Sequence, residues 1–237
     1  MLDHEKRMKS QLYLPADYRS HLIAEVQTIS DLFQNRVFPV FDNIDIEADQ
    51  HAEDFFNKTM VAAFNESVDP ANIAENAIDA GFVKYSSLSL AKYTLLASAI
   101  SILYHLWEQQ ARLFLFREMG HMYKLHIAKF CLKGMDDIKE CFALHGVAIE
   151  HFGCWSKLDE LRLLCNVIKH GDGKSAAQLL RRTPALFQEP YRVKPFPFPI
   201  PSTLLDETLD LSEVVFITYG KAVASFWEEV PERCYTH

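Results

Sequence analysis

Glycine is scarce in this chain, with 8 among 237 residues. Apolar residues recur at helical rather than alternating spacing, so the scarcity fits helices and speaks against a β-rich fold. Cysteine offers no framework: the five (Cys131, Cys141, Cys154, Cys165, Cys234) are an odd number with no CxxC pair. Reduced thiols in a cytosol are expected, not disulfides or a zinc site. Ten histidines include no HExxH, and His121 with His126, or His145 with His151, miss the i, i+4 spacing of two ligands on one helix face. The acidic run at 42–54 lacks the central glycine of an EF-hand loop. No metal and no cofactor are expected.

Two further absences bear on location. The start, Met1-Leu2-Asp3-His4-Glu5-Lys6-Arg7, is charged without an apolar core and reads as no secretory signal. The most apolar run, Tyr93 to Trp107 between Lys92 and Glu108, falls short of the about 20 residues that cross a bilayer. It reads as a buried helix, and a soluble cytoplasmic protein without a membrane partner is the expectation.

What is present is ordinary globular composition, 49% hydrophobic and 24% charged. A net charge of −8 speaks against a general nucleic-acid binder. The charge is uneven, however. Residues 31–80 carry eleven Asp or Glu against Arg36 and Lys58, whereas 157–182 carry Lys157, Arg162, Lys169, Lys174, Arg181 and Arg182 against Asp159, Glu160 and Asp172. The acidic run reads as solvated helix faces; the basic patch is able to hold a phosphate backbone.

Along the chain, an amphipathic helix is expected from about Ala16 to Phe38 and another from near Glu47. Asp69-Pro70 opens a short helix through Ala80 that Gly81 closes. A long helix follows from about Ser89 to Met119, then one from about Met135 to Ile149. Six of the ten prolines lie between 184 and 201 and predict an extended strap laid over the bundle or a partner. Ser212 and Glu213 start a last helix that Pro231 stops.

The segment with chemical promise begins at Ser156-Lys157-Leu158-Asp159, which has the form of a capping box. Its helix ends where Gly171 and Gly173 follow His170. At about 100° per residue, Leu158, Leu161, Leu164, Cys165 and Ile168 gather on a core face. Arg162, Asn166 and His170, spaced i, i+4, i+8, form a polar row, with Asp159 and Leu163 beside it. A polar row is ordinarily a wet face, and a helix C-terminus also favours a protonated His as a simple cap. The next helix, starting near Asp172 or Lys174, adds free N–H groups that suit an anion. Gly171-Asp172-Gly173-Lys174-Ser175 is not a phosphate-binding P-loop, since the required first glycine is Ile168 and no strand precedes it.

Leu161-Arg162-Leu163-Leu164-Cys165-Asn166-Val167-Ile168-Lys169-His170-Gly171 resembles the signature helix of the HEPN superfamily: Arg, a polar residue often Asn, three variable residues, then His. The long helix with Trp107-Glu108-Gln109-Gln110 is similar to that fold's first core helix. The likeness covers roughly residues 88–230 by helix order and the Asn166–Gly171 stretch by motif. It implies an all-α antiparallel bundle over 88–237, with 1–87 as a helical extension or lobe. It implies a metal-independent endoribonuclease of a toxin or defence system, commonly dimeric. His170 would be the general base, Asn166 would orient the scissile phosphate, and Arg162 or Lys169 would stabilise charge, with Lys169 and Lys174 binding substrate.

The family's arginine position is Cys165 here, and Arg162 stands one turn earlier, leaning away from His170 of its own chain. That departure supports the alternative of a non-catalytic HEPN-like module binding RNA, nucleotide or a protein partner. A third reading is an unrelated helical interaction protein with His170 as a cap. Expected partners are a second copy of the chain, RNA, and a cognate antitoxin or defence-system protein.

Overall fold

Prolines and polar caps set several of the helix starts. The computed structural model describes residues 10–63, 69–127, 130, 134–188 and 208–236, and these are predominantly helical. Helix α1 (Ala16–Leu32) follows Pro15 and passes into a π turn at Phe33–Val37 and a 3-10 turn at Phe38–Phe41 that carries Pro39. Helix α2 covers Ile44–Ala62, and α3 runs Pro70–Gly120. At the start of α3, Asp69 accepts a hydrogen bond from the Ala71 N–H at 2.9 Å. Helices α4 (Met135–Leu144), α5 (Trp155–His170), α6 (Lys174–Arg182) and α7 (Glu213–Glu229) complete the set. Ser212 caps α7 by accepting from the Val215 N–H, and Pro231 follows its end. Strands β1 (Gln11–Tyr13) and β2 (Arg233–Tyr235) form one short antiparallel pair, with Leu12 opposite Cys234.

The chain divides into two compact units, one formed by the stretch to Ser30 with Ala99 onward, the other by Asp31–Ser98. The expected break at 87/88 lies within α3, and β1 belongs with the C-terminal half.

In the first unit an aromatic cluster joins α3, α4 and α7. Trp107 meets Phe226 edge-on at 5.3 Å, Phe114 meets Trp227 at 5.9 Å, and Phe142 meets Phe226 at 5.9 Å. Each such pair contributes about 0.5–1.5 kcal/mol beyond its buried area. Some polar groups inside this core are satisfied across elements, whereas the Trp107 indole N–H has no hydrogen-bond partner among the described residues. Gln110 donates to the Leu22 carbonyl and to Glu25, while its own oxygen accepts from the Trp227 indole at 2.7 Å. A Cβ at Gly220 would stand 2.8 Å from Ser30 Oγ, so glycine permits the close approach of α7 to α1. In this unit Ile100, Leu103, Trp107 and Leu115 of α3 are wholly buried, whereas Ile102 and Leu113 are exposed. Helix α3 is long and apolar enough to cross a bilayer by length and composition alone, unlike the isolated Tyr93–Trp107 run. Of its apolar window, 28% is buried within the protein.

In the second unit, α2 packs on the first half of α3. Gly81 does not end a helix as its sequence position predicts; α3 continues through it to Gly120. The physical reason is packing. A Cβ at Gly81 would stand 2.9 Å from the Ala52 Cβ and 3.2 Å from the Ala48 carbonyl oxygen, so the missing side chain serves helix contact.

Other expectations shift at their ends. Helix α4 stops at Leu144, followed by Gly146 at φ 77° and a 3-10 turn at Ile149–His151. Pro184 begins a 3-10 turn, and an antiparallel bridge joins Phe187 to Leu209. The proline-rich strap itself lies, but for residues 184–188, outside the described residues.

Candidate functional site

Helix α5 packs against both α6 and α7. Its buried residues are Leu158, Glu160, Leu161, Leu163, Leu164, Cys165 and Val167. This is a wider buried surface than the expected single face: Leu163 is wholly buried, while Ile168 is half-exposed. The capping box at Ser156 does not form. Cys154 is the N-cap, without a side-chain bond of its own. Instead Glu229, at the far end of α7, accepts from the Gly153 N–H at 2.6 Å and the Cys154 N–H at 3.0 Å. Burial alone would raise the Glu229 carboxyl, but these backbone donors outweigh it and hold it below the ordinary range. Burial, and then Glu229, push the Cys154 thiol up to about 12.

The polar row on α5 is split into two environments. At the N-terminal end Arg162 is half-buried and forked onto Asp159, with Nε at 2.8 Å and a terminal nitrogen at 2.7 Å. Arg182 of α6 grips the other Asp159 oxygen. Burial would raise the Asp159 carboxyl, yet the Arg182 and Arg162 guanidiniums prevail and hold it below the usual carboxylate range. At the C-terminal end Asn166 is half-buried, and Lys169 and His170 are exposed. Gly171 turns the chain at φ 66° and donates its N–H to Val167 at 2.8 Å. Three residues later Lys174, also exposed, opens α6, whose N-cap Gly173 supplies no side-chain bond to the first N–H groups. The α5–α6 junction thus carries the His170 imidazole, the Lys169 and Lys174 ammonium groups, the Asp172 carboxylate and the start of a helix. Arg162 is not among them.

Cys165, in the position where the HEPN likeness expects arginine, is buried, and burial raises its thiol. Its surroundings include Ser101 and Glu108 of α3. Glu108 is itself paired with Arg112 at 2.7 Å and lies near His105. Nearby Tyr104 is pushed well above the ordinary phenol range by burial and by Glu108.

Three polar groupings have no local signal in the sequence. Glu160 is buried and accepts from Tyr219 at 2.9 Å, Thr183 at 2.7 Å and Lys157 at 2.8 Å, beside a cavity of about 260 Å³. Burial, followed by Glu160, raises the Tyr219 hydroxyl. His145 is buried between the Cys141 carbonyl at 2.7 Å and the Ser10 hydroxyl at 3.0 Å. The third is the Glu229 cap. All join residues far apart in the chain, which is why spacing does not reveal them. Among the described residues, four free cysteines are buried, and no group of three His, Cys, Asp or Glu is placed to hold a metal ion. No protein-family model, curated protein or solved structure matches the chain.

Proposed function

We propose that this chain is a HEPN-like helical protein of a toxin or defence system that cleaves RNA at the α5–α6 junction without a metal ion. The observation that carries the reading is the exposed pair Lys169 and His170 at the Gly171 turn, followed three residues after that glycine by the exposed Lys174 at the start of α6. A phosphodiester needs cationic and N–H donors for its oxygens, and a helix N-terminus with lysines supplies both. His170 is the general base. It takes the proton of the ribose 2′-OH as that oxygen attacks phosphorus, and the 5′-oxygen leaves, giving a 2′,3′-cyclic phosphate. Asn166 orients the phosphate, and Lys169 offsets the developing charge.

Arg162 enters only from a second copy. It lies about 12 Å along α5 from His170 and leans away from it toward Asp159. A homodimer with opposed α5 helices brings one chain's Arg162 beside the other's His170. Arg182 supports this exchange, because it keeps Asp159 neutralised when Arg162 leaves. RNA and a cognate antitoxin or defence-system protein are the remaining proposed partners, and the cytoplasm is the proposed location.

A second reading is favoured by the burial of Cys165 and the closed Arg162–Asp159 pair: a non-catalytic module that binds RNA, nucleotide or a protein through the same junction. Salt-dependent binding of single-stranded RNA tests what both share. Affinity should fall with rising salt, and Lys169→Ala with Lys174→Ala should flatten that dependence. Binding indifferent to salt and to both lysines would leave the junction without an RNA role.

A further inference from the structure

The second unit leaves large apolar side chains in water, and in α3 they are grouped. Ile78, Phe82, Val83 and Leu90 are each more than half exposed. At about 100° per residue they fall, with Glu75 and Asp79, within an arc of roughly 140°. Lys84 lies on the opposite side, next to the packed residues Ile73, Ala77 and Gly81. The arc is therefore apolar and acidic apart from Ser86 and Ser89, with no basic side chain in it. Grouped exposure of this kind marks an interaction surface more often than scattered single residues do.

Charge identifies the occupant. Residues 31–98 hold eleven Asp or Glu against four Lys or Arg, a net −7 out of the chain's −8. The remainder is close to neutral. A second copy would set the same negative unit against itself, and RNA or an anionic bilayer would be repelled as well. A helix with apolar residues at i, i+3, i+4 and i+7 and Lys or Arg along its flanks meets both properties of the arc. We propose that the exposed face of α3 over residues 75–90 docks a basic amphipathic helix of another protein.

The test uses the full chain and a fluorescently labelled Leu/Lys peptide about 18 residues long, written with helical periodicity. A peptide of identical composition in scrambled order is the control. The periodic peptide should bind at least tenfold tighter than the scrambled one. Ile78→Ser with Phe82→Ser should weaken it at least tenfold, and Glu75→Gln with Asp79→Gln severalfold. The second pair alters only exposed carboxylates, so its result stands even where the first pair disturbs folding. Equal affinity for the two peptides would overturn the proposal, as would affinity unchanged by the Glu75/Asp79 pair. So would a dimer of the wild-type chain that Ile78→Ser with Phe82→Ser converts to a monomer, because that assigns the face to a second copy.

Discussion

Within one polar strip of α5, Arg162 and His170 differ in what surrounds them. Arg162 is forked onto a half-buried carboxylate shared with Arg182, whereas His170 stands exposed at the helix end. Truncating His170 removes little packing, so His170→Ala should cost only a weak terminal charge effect of about 0.3–1 kcal/mol. As general base its loss should slow RNA cleavage about a hundredfold or more. Leu161 is wholly buried, and Leu161→Ala should cost about 2–5 kcal/mol through the cavity it leaves. Ile168, half-exposed, should cost less than Leu161. Denaturant midpoints for the three variants, taken beside a cleavage assay, separate folding from chemistry. A folded, fully active His170→Ala protein would return His170 to the role of a helix cap.

Elements here are tied by side chains that reach from one helix to another. Asp159 joins α5 to α6 through Arg182, and Glu229 joins α7 to the start of α5. Both carboxyls are held below their ordinary range in the folded state. Their stabilising effect is therefore fully present above the unfolded carboxylate value, about 3.9–4.3, and is lost as pH falls through the lower folded values. Asp159→Asn should destabilise the protein by about 2–3 kcal/mol near neutrality. That difference from wild type should shrink on acidification below about pH 4, which thermal unfolding at a series of pH values would measure. In the second unit, Gly81→Val should destabilise by about 1–3 kcal/mol, because Ala52 belongs to a helix that cannot yield locally. An unchanged or raised melting temperature would contradict the close helix contact. Gly81 also shows where sequence reading stops. Pro70, Ser212 and the Gly171 turn act on their immediate neighbours, so their helix ends were legible. The role of Gly81 depends on Ala52, and the start of α5 depends on Glu229, neither of which is near in sequence.

For the whole molecule, the helical class was legible from periodicity and scarce glycine. The division into units was not, since it depends on the chain returning after residue 98 to join β1 and α1. The polar row of α5 was legible as a row, in which Asp159, three residues earlier on the same helix, closes Arg162 while His170 stays open at the helix end; the second grip on Asp159, from Arg182 of α6, was not legible. A site shared between chains requires association, so light scattering at micromolar concentration should find a dimer; a monomer would remove Arg162 from the mechanism. The proposed activity is metal-independent cleavage by His170. Its most direct measurement incubates the purified full chain with total RNA in the presence of a chelator and analyses the fragment ends. Fragments with 2′,3′-cyclic phosphate ends, formed by wild type and not by His170→Ala, are the predicted result. Intact RNA under these conditions, or cleavage that appears only when magnesium is restored, would contradict it.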